Sequence, residues 1–465
     1  MVVLYVLIAL VVVGLLTGVH WYVWRRLVRD TTARAGWARR TGTAAAFALP
    51  LISVGALIAG RAGAPFPLQR ALAWPGYLWL ALLLYLTLAL LVGEAVRPLL
   101  RAWLGRSEPA DGRLTDVPAP AVGGLVGVAA VPEGGGGVVC DGAGAAVVSE
   151  AEAVVDGAAK TATDAVEAAT DAVEAATDAA KGGAADPAPA SSSRRLFVAR
   201  AVAVGATAVA AGTVGYGAYT VLRGPRVKRI TVPLAKLPRR AHGFRIAVVS
   251  DIHLGPILGR DHTRRVVEAV NRTNPDLVAV VGDLVDGSVA DLGPAAEPLH
   301  GLSARHGSYF VTGNHEYYSG AAEWVDHVRE LGLRPLENER TELPGFDLAG
   351  VNDVAGESEG HGPDFGKALG DRDRSRASVL LAHQPVVIHD AVKAGVDLQL
   401  SGHTHGGQLW PGNYVAELAN PTAAGLDRYG DTQLYVTRGA GAWGPPVRVG
   451  APPDVTVVEL ASTRA

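Results

Sequence analysis

DLQLSGHTHGGQ, Asp397 to Gln408, joins a short apolar run to two histidines that stand one residue apart. The run has strand length, and the loop after it surrounds His403 and His405 with small residues and glycine. A hydrophobic core does not select such a loop, because imidazole is awkward to bury and glycine packs nothing. Metal ligation explains it, provided that the rest of the chain supplies more ligands.

The same plan recurs upstream. FRIAVVS (244–250), DLVAVVGD (276–283), SYFVTGNH (308–315) and SVLLAH (378–383) are short apolar runs ending on polar residues or glycine. Such runs suit strands buried on both faces. Between the first two, DHTRRVVEAVNR (261–272) has helical spacing, with Asp261 as its expected N-cap. Strand, helix, strand predicts a largely parallel sheet, whose ligands gather at the carboxyl ends of the strands. Every candidate ligand follows a run: Asp251-Ile-His253, Asp283-Leu-Val-Asp286, Asn314-His315-Glu316, His383, and His403-Thr-His405. Each pattern alone is common by chance; the ordered set is not.

That ordered set resembles the calcineurin-like metallophosphoesterases, whose signature runs D-x-H, G-D-x-x-D, G-N-H-E/D, a lone H, then G-H-x-H. The likeness covers the C-terminal half and is strongest to the bacterial membrane-associated branch. It implies an α/β fold, a four-layer αββα sandwich. It also implies two divalent cations, one held by Asp251, His253, Asp283 and His405, the other by Asp283, Asn314, His383 and His403. A mixed oxygen and nitrogen set without thiolate suits Mn, Fe or Zn. Two such cations acidify a shared water for attack on phosphorus. His315 matches the family histidine that stabilises the transition state or protonates the leaving oxygen, with Glu316 expected to orient it. Asp286 is expected behind the ligands rather than among them. Arg438 and Arg448, near the C-terminus, are read as exposed arginines or as a contact for substrate phosphate.

The other half reads differently. Stretches 1–24, 41–60, 71–93 and 201–222 carry no Asp, Glu, Lys or Arg, and each matches the roughly 20 residues a bilayer core requires. Arginines cluster after the first (Arg25, Arg26, Arg29, Arg34, Arg39, Arg40) and third (Arg97, Arg101, Arg106, Arg113) stretches, while only Arg61 and Arg70 separate the second and third. The positive-inside bias then places everything beyond 222 outside the cytoplasm. SRRLFV (193–198) resembles an internal twin-arginine export signal. Between the spans, TDAVEAA repeats at 163–169 and 170–176 within an Ala-, Gly- and acid-rich linker. The expected organisation is 1–106 with three spans, 107–195 linker, 196–223 a fourth span and 224–465 the phosphoesterase domain.

Composition limits the functions. A net charge of −3 offers no basis for nucleic-acid binding, and the lone Cys140 excludes an intrachain disulfide. The expectation is a multi-pass plasma-membrane phosphoesterase at the bacterial envelope. Its substrate would be a phosphate ester, including phospholipid or lipid-linked phosphate. The alternative is a non-catalytic receptor or scaffold that binds phosphorylated ligands.

Overall fold

The computed structural model describes residues 2–34, 36–105 and 190–463. The tandem repeats, Cys140 and most of the expected linker lie outside the described residues. The chain divides into two compact units, Met1–Leu90 with Ala203–Ala465, and Leu91–Val202. In the second unit, Arg97 pairs with Glu94 at 3.4 Å.

Two six-stranded sheets form the C-terminal half. One contains β1 (Arg226–Leu234), β2 (Phe244–Val249), β3 (Leu277–Val281), β4 (Ser308–Val311), β5 (Arg334–Pro335) and β12 (Asp454–Ser462), in the order β1-β12-β2-β3-β4-β5. The other contains β6 (Glu339–Leu343), β7 (Phe346–Gly350), β8 (Ala377–Leu381), β9 (Leu398–Ser401), β10 (Gly425–Tyr429) and β11 (Thr432–Val436), in the order β10-β11-β9-β8-β7-β6. All five expected strands are present, but they are shared between two mixed sheets rather than one. β2, β3, β4 and β5 run parallel, and β12 joins β2 antiparallel.

Alternation along the strands explains the layers. In β2, Ile246 and Val248 enter the core between the sheets, with Leu277, Leu348, Val379 and Leu400. Ala247 and Val249 face the other way, against the helices. β2, β3, β4, β8 and β9 therefore bury both faces, which is why each reads as a continuous apolar run. A fully buried Val or Leu contributes about 1.5–3 kcal/mol, so these strands are strongly specified. The outer layers are helices Arg260–Asn271, Val289–Ala296 and Ala321–Glu330 on one side, Phe365–Leu369 and Ile388–Ala394 on the other. Asp261 lies in the first turn of its helix rather than at the cap, where Gly259 stands.

Four long helices accompany the sandwich: α1 (Val2–Trp24), α2 (Trp37–Ala59), α3 (Phe66–Gly105) and α4 (Ala190–Leu222). Among the described residues, three stretches are long and apolar enough to cross a membrane: Trp37–Ala59, Phe66–Ala102 and Arg194–Leu222. Pro50 sits inside α2 without ending it.

Loops at the carboxyl ends of the strands are stitched together by backbone. The N–H of Ala440 donates to Ser250 O and that of Gly441 to Asp251 O, both at 2.8 Å. A Cβ on Gly441 would collide with the backbone of Ile252 and Asp251. Gly441→Ala is therefore expected to cost about 1–3 kcal/mol, read as a lower unfolding midpoint of the detergent-solubilised protein.

Candidate metal centre

Each expected ligand stands where a strand ends. Asp251 and His253 follow β2, Asp283 follows β3, Asn314 and His315 follow β4, His383 follows β8, and His403 and His405 follow β9. Five of them, Asp251, His253, Asp283, His403 and His405, have φ between 49° and 73°. This left-handed region is rare for non-glycine residues and concentrates at functional sites. It turns the chain sharply off each strand and back toward the centre.

The side chains gather into touching groups. Asp251, His253 and His405 form one, Asp283, His383 and His403 another, with ligand atoms within 4.8 Å of one another in each. Asp283 stands between them, its Oδ2 3.1 Å from His383 Nε2 and 3.7 Å from His253 Nε2. Asn314 Oδ1 joins the second group, 3.0 Å from His403 Nδ1. All seven expected positions are thus brought together. Asp251, His253, Asp283, Asn314, His383 and His405 are buried, and His403 is half-buried.

Hydrogen bonding decides which nitrogens are free. His383 Nδ1 lies 2.9 Å from Val281 O, which can only accept, so Nδ1 carries the proton. Its Nε2 lone pair, buried and without a hydrogen bond, then confronts the Asp283 carboxylate. Two acceptors at that distance need either a proton on Nε2, which the raised pKa of His383 favours, or a metal cation in its place. His253 is prepared in the same way, with Nδ1 2.9 Å from Asp286 Oδ1 and Nε2 facing the centre. Ligating histidines are held by such carboxylate or carbonyl partners. His405 is the least prepared. Arg448 Nη2 lies 3.0 Å from its Nδ1 and can only donate, so the proton of neutral His405 sits on Nε2, 3.0 Å from His253 Nε2; ligation through Nε2 requires that proton to move to Nδ1 and Arg448 to turn away.

The charges agree with a cation site. Burial opposes charge on His253, yet Asp286, Asp283 and Asp251 lift its pKa to about 9. His383 is likewise driven well above the ordinary imidazole value against burial, chiefly by Asp283. Burial followed by the neighbouring His383 charge lowers His403 to about 4. The buried acids thus draw positive charge onto His253 and His383, and the donor set of carboxylate, amide and imidazole fits divalent cations.

Two expectations are corrected by the geometry. Glu316 does not hold the His315 ring. It is buried and accepts backbone N–H from Gly313 (2.6 Å), Leu284 (2.8 Å) and Asp283 (3.0 Å), bracing the loops that carry Asp283 and Asn314. Asp286 takes the orienting part instead, with Oδ1 2.7 Å from His315 Nδ1 as well as 2.9 Å from His253 Nδ1. Its pKa falls to about 2 despite burial, because His253 and His315 surround it. Arg448 is neither exposed nor free for phosphate. It is 2% exposed and donates to His405 O (2.8 Å) and Gly441 O (2.6 Å). No local pattern marks Arg448; only the packed loops reveal it.

The family model of the calcineurin-like phosphoesterases matches residues 244–407. An uncharacterized metallophosphoesterase of Aquifex aeolicus is 36% identical over 251 residues, 52% of this chain and 95% of that protein. The chain belongs to the calcineurin-like metallophosphoesterases. Within that family, a transmembrane protein with metallophosphoesterase domain from Danio rerio is 40% identical over 291 residues, 59% of this chain and 65% of that protein. An uncharacterized metallophosphoesterase from Helicobacter pylori is 38% identical over 247 residues, 52% of this chain and 66% of that protein. The chain thus spans about two thirds of the length of these last two metallophosphoesterases.

Because one Asp286 oxygen serves two imidazoles, its loss should be felt at the metal before the fold. Asp286→Ala is expected to weaken Mn or Zn binding roughly 10–100-fold, measured by calorimetric titration of the metal-stripped protein, with the unfolding midpoint little changed.

Proposed function

We propose that this protein is a membrane-anchored, two-metal phosphoesterase, with residues 224–465 as its catalytic domain. Asp251, His253, Asp283 and His405 hold one divalent cation; Asp283, Asn314, His383 and His403 hold the other, with Mn, Fe or Zn as the metals. The observation that carries the reading is Asp283, one buried carboxylate within reach of imidazoles from both groups. When bound, the two cations supply Lewis acidity at the phosphoryl oxygens and an acidified water for hydrolysis.

The protein's own residues do the rest. Asp286 holds His315 by Nδ1, so its Nε2 is free to face the substrate and pass a proton to the leaving oxygen. His315 is half-buried, where the ligands beneath it are mostly buried, as suits a group that must meet substrate. Tyr318 and Trp443 stand edge-on to its ring, with centroids 5.5 and 5.8 Å away, and limit its rotation. Glu316 fixes the loops by three backbone bonds and takes no part in proton transfer.

The substrate is a phosphate ester of the cell envelope, a phosphodiester or a lipid-linked phosphate. The chain crosses the plasma membrane four times, with 1–106 containing three spans including Val2–Trp24, 107–195 a linker and 196–223 the fourth span. The arginine distribution, with four spans, supports a catalytic domain outside the cytoplasm.

Purified full-length protein with Mn should hydrolyse a chromogenic phosphodiester. Asp283→Ala and His315→Ala should each reduce turnover at least roughly 100-fold, but only Asp283→Ala should lose metal by elemental analysis. Turnover that survives Asp283→Ala would refute the two-metal reading. For orientation, alkaline phosphatase fused after residue 465 should be active and a cytoplasm-dependent reporter silent; the reverse result places the domain inside.

A further inference from the structure

The cleft over His315 is not closed by the sandwich alone. It encloses about 560 Å³, with His253, Asp286 and His315 among the residues on the catalytic side. The turn between α2 and α3 and the helical ends beside it form another wall, through Leu57, Arg61, Phe66, Gln69 and Tyr77.

This wall is built in. Phe66 packs against the core shared by β2, β3 and their outer helices. Ser53 Oγ donates to Gly76 O at 2.8 Å, Tyr77 Oη to Ala56 O at 3.3 Å, and Gln69 Nε2 to Ala64 O at 2.8 Å. Gly76 has no space for a Cβ against Ala56 and the backbone of Ile52 and Ser53, so α2 and α3 are locked together. The end of α4 reaches the same rim, where Val221 packs with the cleft residues Leu258 and Ala442.

The cleft lining combines two chemistries. Arg61 is the single Arg or Lys among its described lining residues. Its exposed guanidinium makes one long hydrogen bond, to Leu57 O at 3.4 Å, and no ion pair among the described residues. A guanidinium with unused donors is a natural partner for a phosphoryl oxygen. The same lining carries apolar side chains, Ala56, Leu57 and Phe66 from α2 and α3 and Ile257 from the sandwich, while Trp443 lies beside His315. Ala56 and Leu57 belong to a stretch apolar enough to cross a bilayer. Part of the cleft's apolar lining thus comes from a candidate membrane helix.

We infer that the α2–α3 turn is a substrate-recognition wall, on which Arg61 binds the anionic phosphoester while the adjoining helices take the apolar part of an amphiphile drawn from the bilayer. This rests on the phosphoesterase reading of the site. A small polar ester would leave the apolar lining without a partner, whereas an amphiphile engages both the cationic and the apolar side chains.

Full-length protein in phosphatidylcholine nanodiscs with Mn tests it. Two probes are compared: soluble bis(4-nitrophenyl) phosphate and the amphiphile hexadecyl 4-nitrophenyl phosphate. The unsubstituted protein should prefer the hexadecyl ester in kcat/KM. Arg61→Ala should reduce that preference roughly ten-fold, mainly through KM, and Arg61→Lys should recover part of it. Preference for the small diester, or a preference ratio that Arg61→Ala leaves unmoved, overturns the inference while the phosphoesterase reading stands. Hydrolysis of neither ester by the unsubstituted protein removes the phosphoesterase reading itself, and this inference with it.

Discussion

Asp283 sits at the end of β3 as a carboxylate only 2% exposed to water, and the centre is arranged around that charge. Taking a carboxylate out of water costs several kcal/mol unless cations and donors replace the solvent. Burial alone would push its proton affinity up, but His383, His253 and His315 draw it well below the usual carboxylate range. Its Oδ1 accepts the backbone N–H of His315 at 2.9 Å, which leaves Oδ2 to the imidazoles. Those imidazoles keep positive charge only while they hold protons; a bound divalent cation supplies it without that condition. Glu316, equally buried, meets the problem differently. Burial and the charge of Asp283 raise its pKa to about 7, and three backbone N–H groups satisfy its oxygens. One acid is left for cations while its neighbour braces the peptide frame.

The parts of this arrangement that were legible beforehand share a local cause. β2, β3, β4, β8 and β9 bury both faces and so appear as unbroken apolar runs, and each ends on the group it presents. β1, β6 and β10 were not legible, because they are edge or near-edge strands with mixed exposure, such as Gly425–Tyr429, which has no fully buried residue. The exchange of parts between Asp286 and Glu316 was hidden for another reason. Asp286 reaches His315 across a gap of 29 positions, whereas Glu316 is its chain neighbour, and adjacency is a poor guide once a helix begins at Asn314. Successive side chains on a helix point about 100° apart, which turns Glu316 inward beneath the loop while His315 looks out.

The membrane half was legible in kind but not in consequence. Absence of charge marks the apolar stretches wherever they occur, and the helices that contain them extend well beyond those stretches. What no hydropathy pattern contains is the docking of the α2–α3 turn by Phe66, or the bond from Tyr85 Oη to Trp410 O at 3.0 Å. These contacts link residues hundreds of positions apart, so they exist only after both halves have folded. They pack the helices against the core and loops of the sandwich.

The one-residue spacing of D-x-H and H-x-H has a mechanical cause. Asp251 and His253 both take left-handed backbone, and so do His403 and His405, at a cost of roughly 1–2 kcal/mol for each such residue. Between the first pair, Ile252 is fully buried in the helix-side core, anchoring the loop from behind. The ladder of β2 and β3 also continues past the strands, with Asp251 N–H to Gly282 O at 3.0 Å and His253 N–H to Asp283 O at 3.1 Å. Anchored and hydrogen-bonded in this way, the loop cannot relax into an easier conformation. Strain that would be disfavoured on a free loop is thereby converted into fixed aim, with carboxylate and imidazole converging without having to be ordered when a cation arrives. In the second pair the aim diverges, His405 joining Asp251 and His253 while His403 joins Asp283 and His383. A single residue of spacing on a rigid turn is what lets one short loop serve both groups.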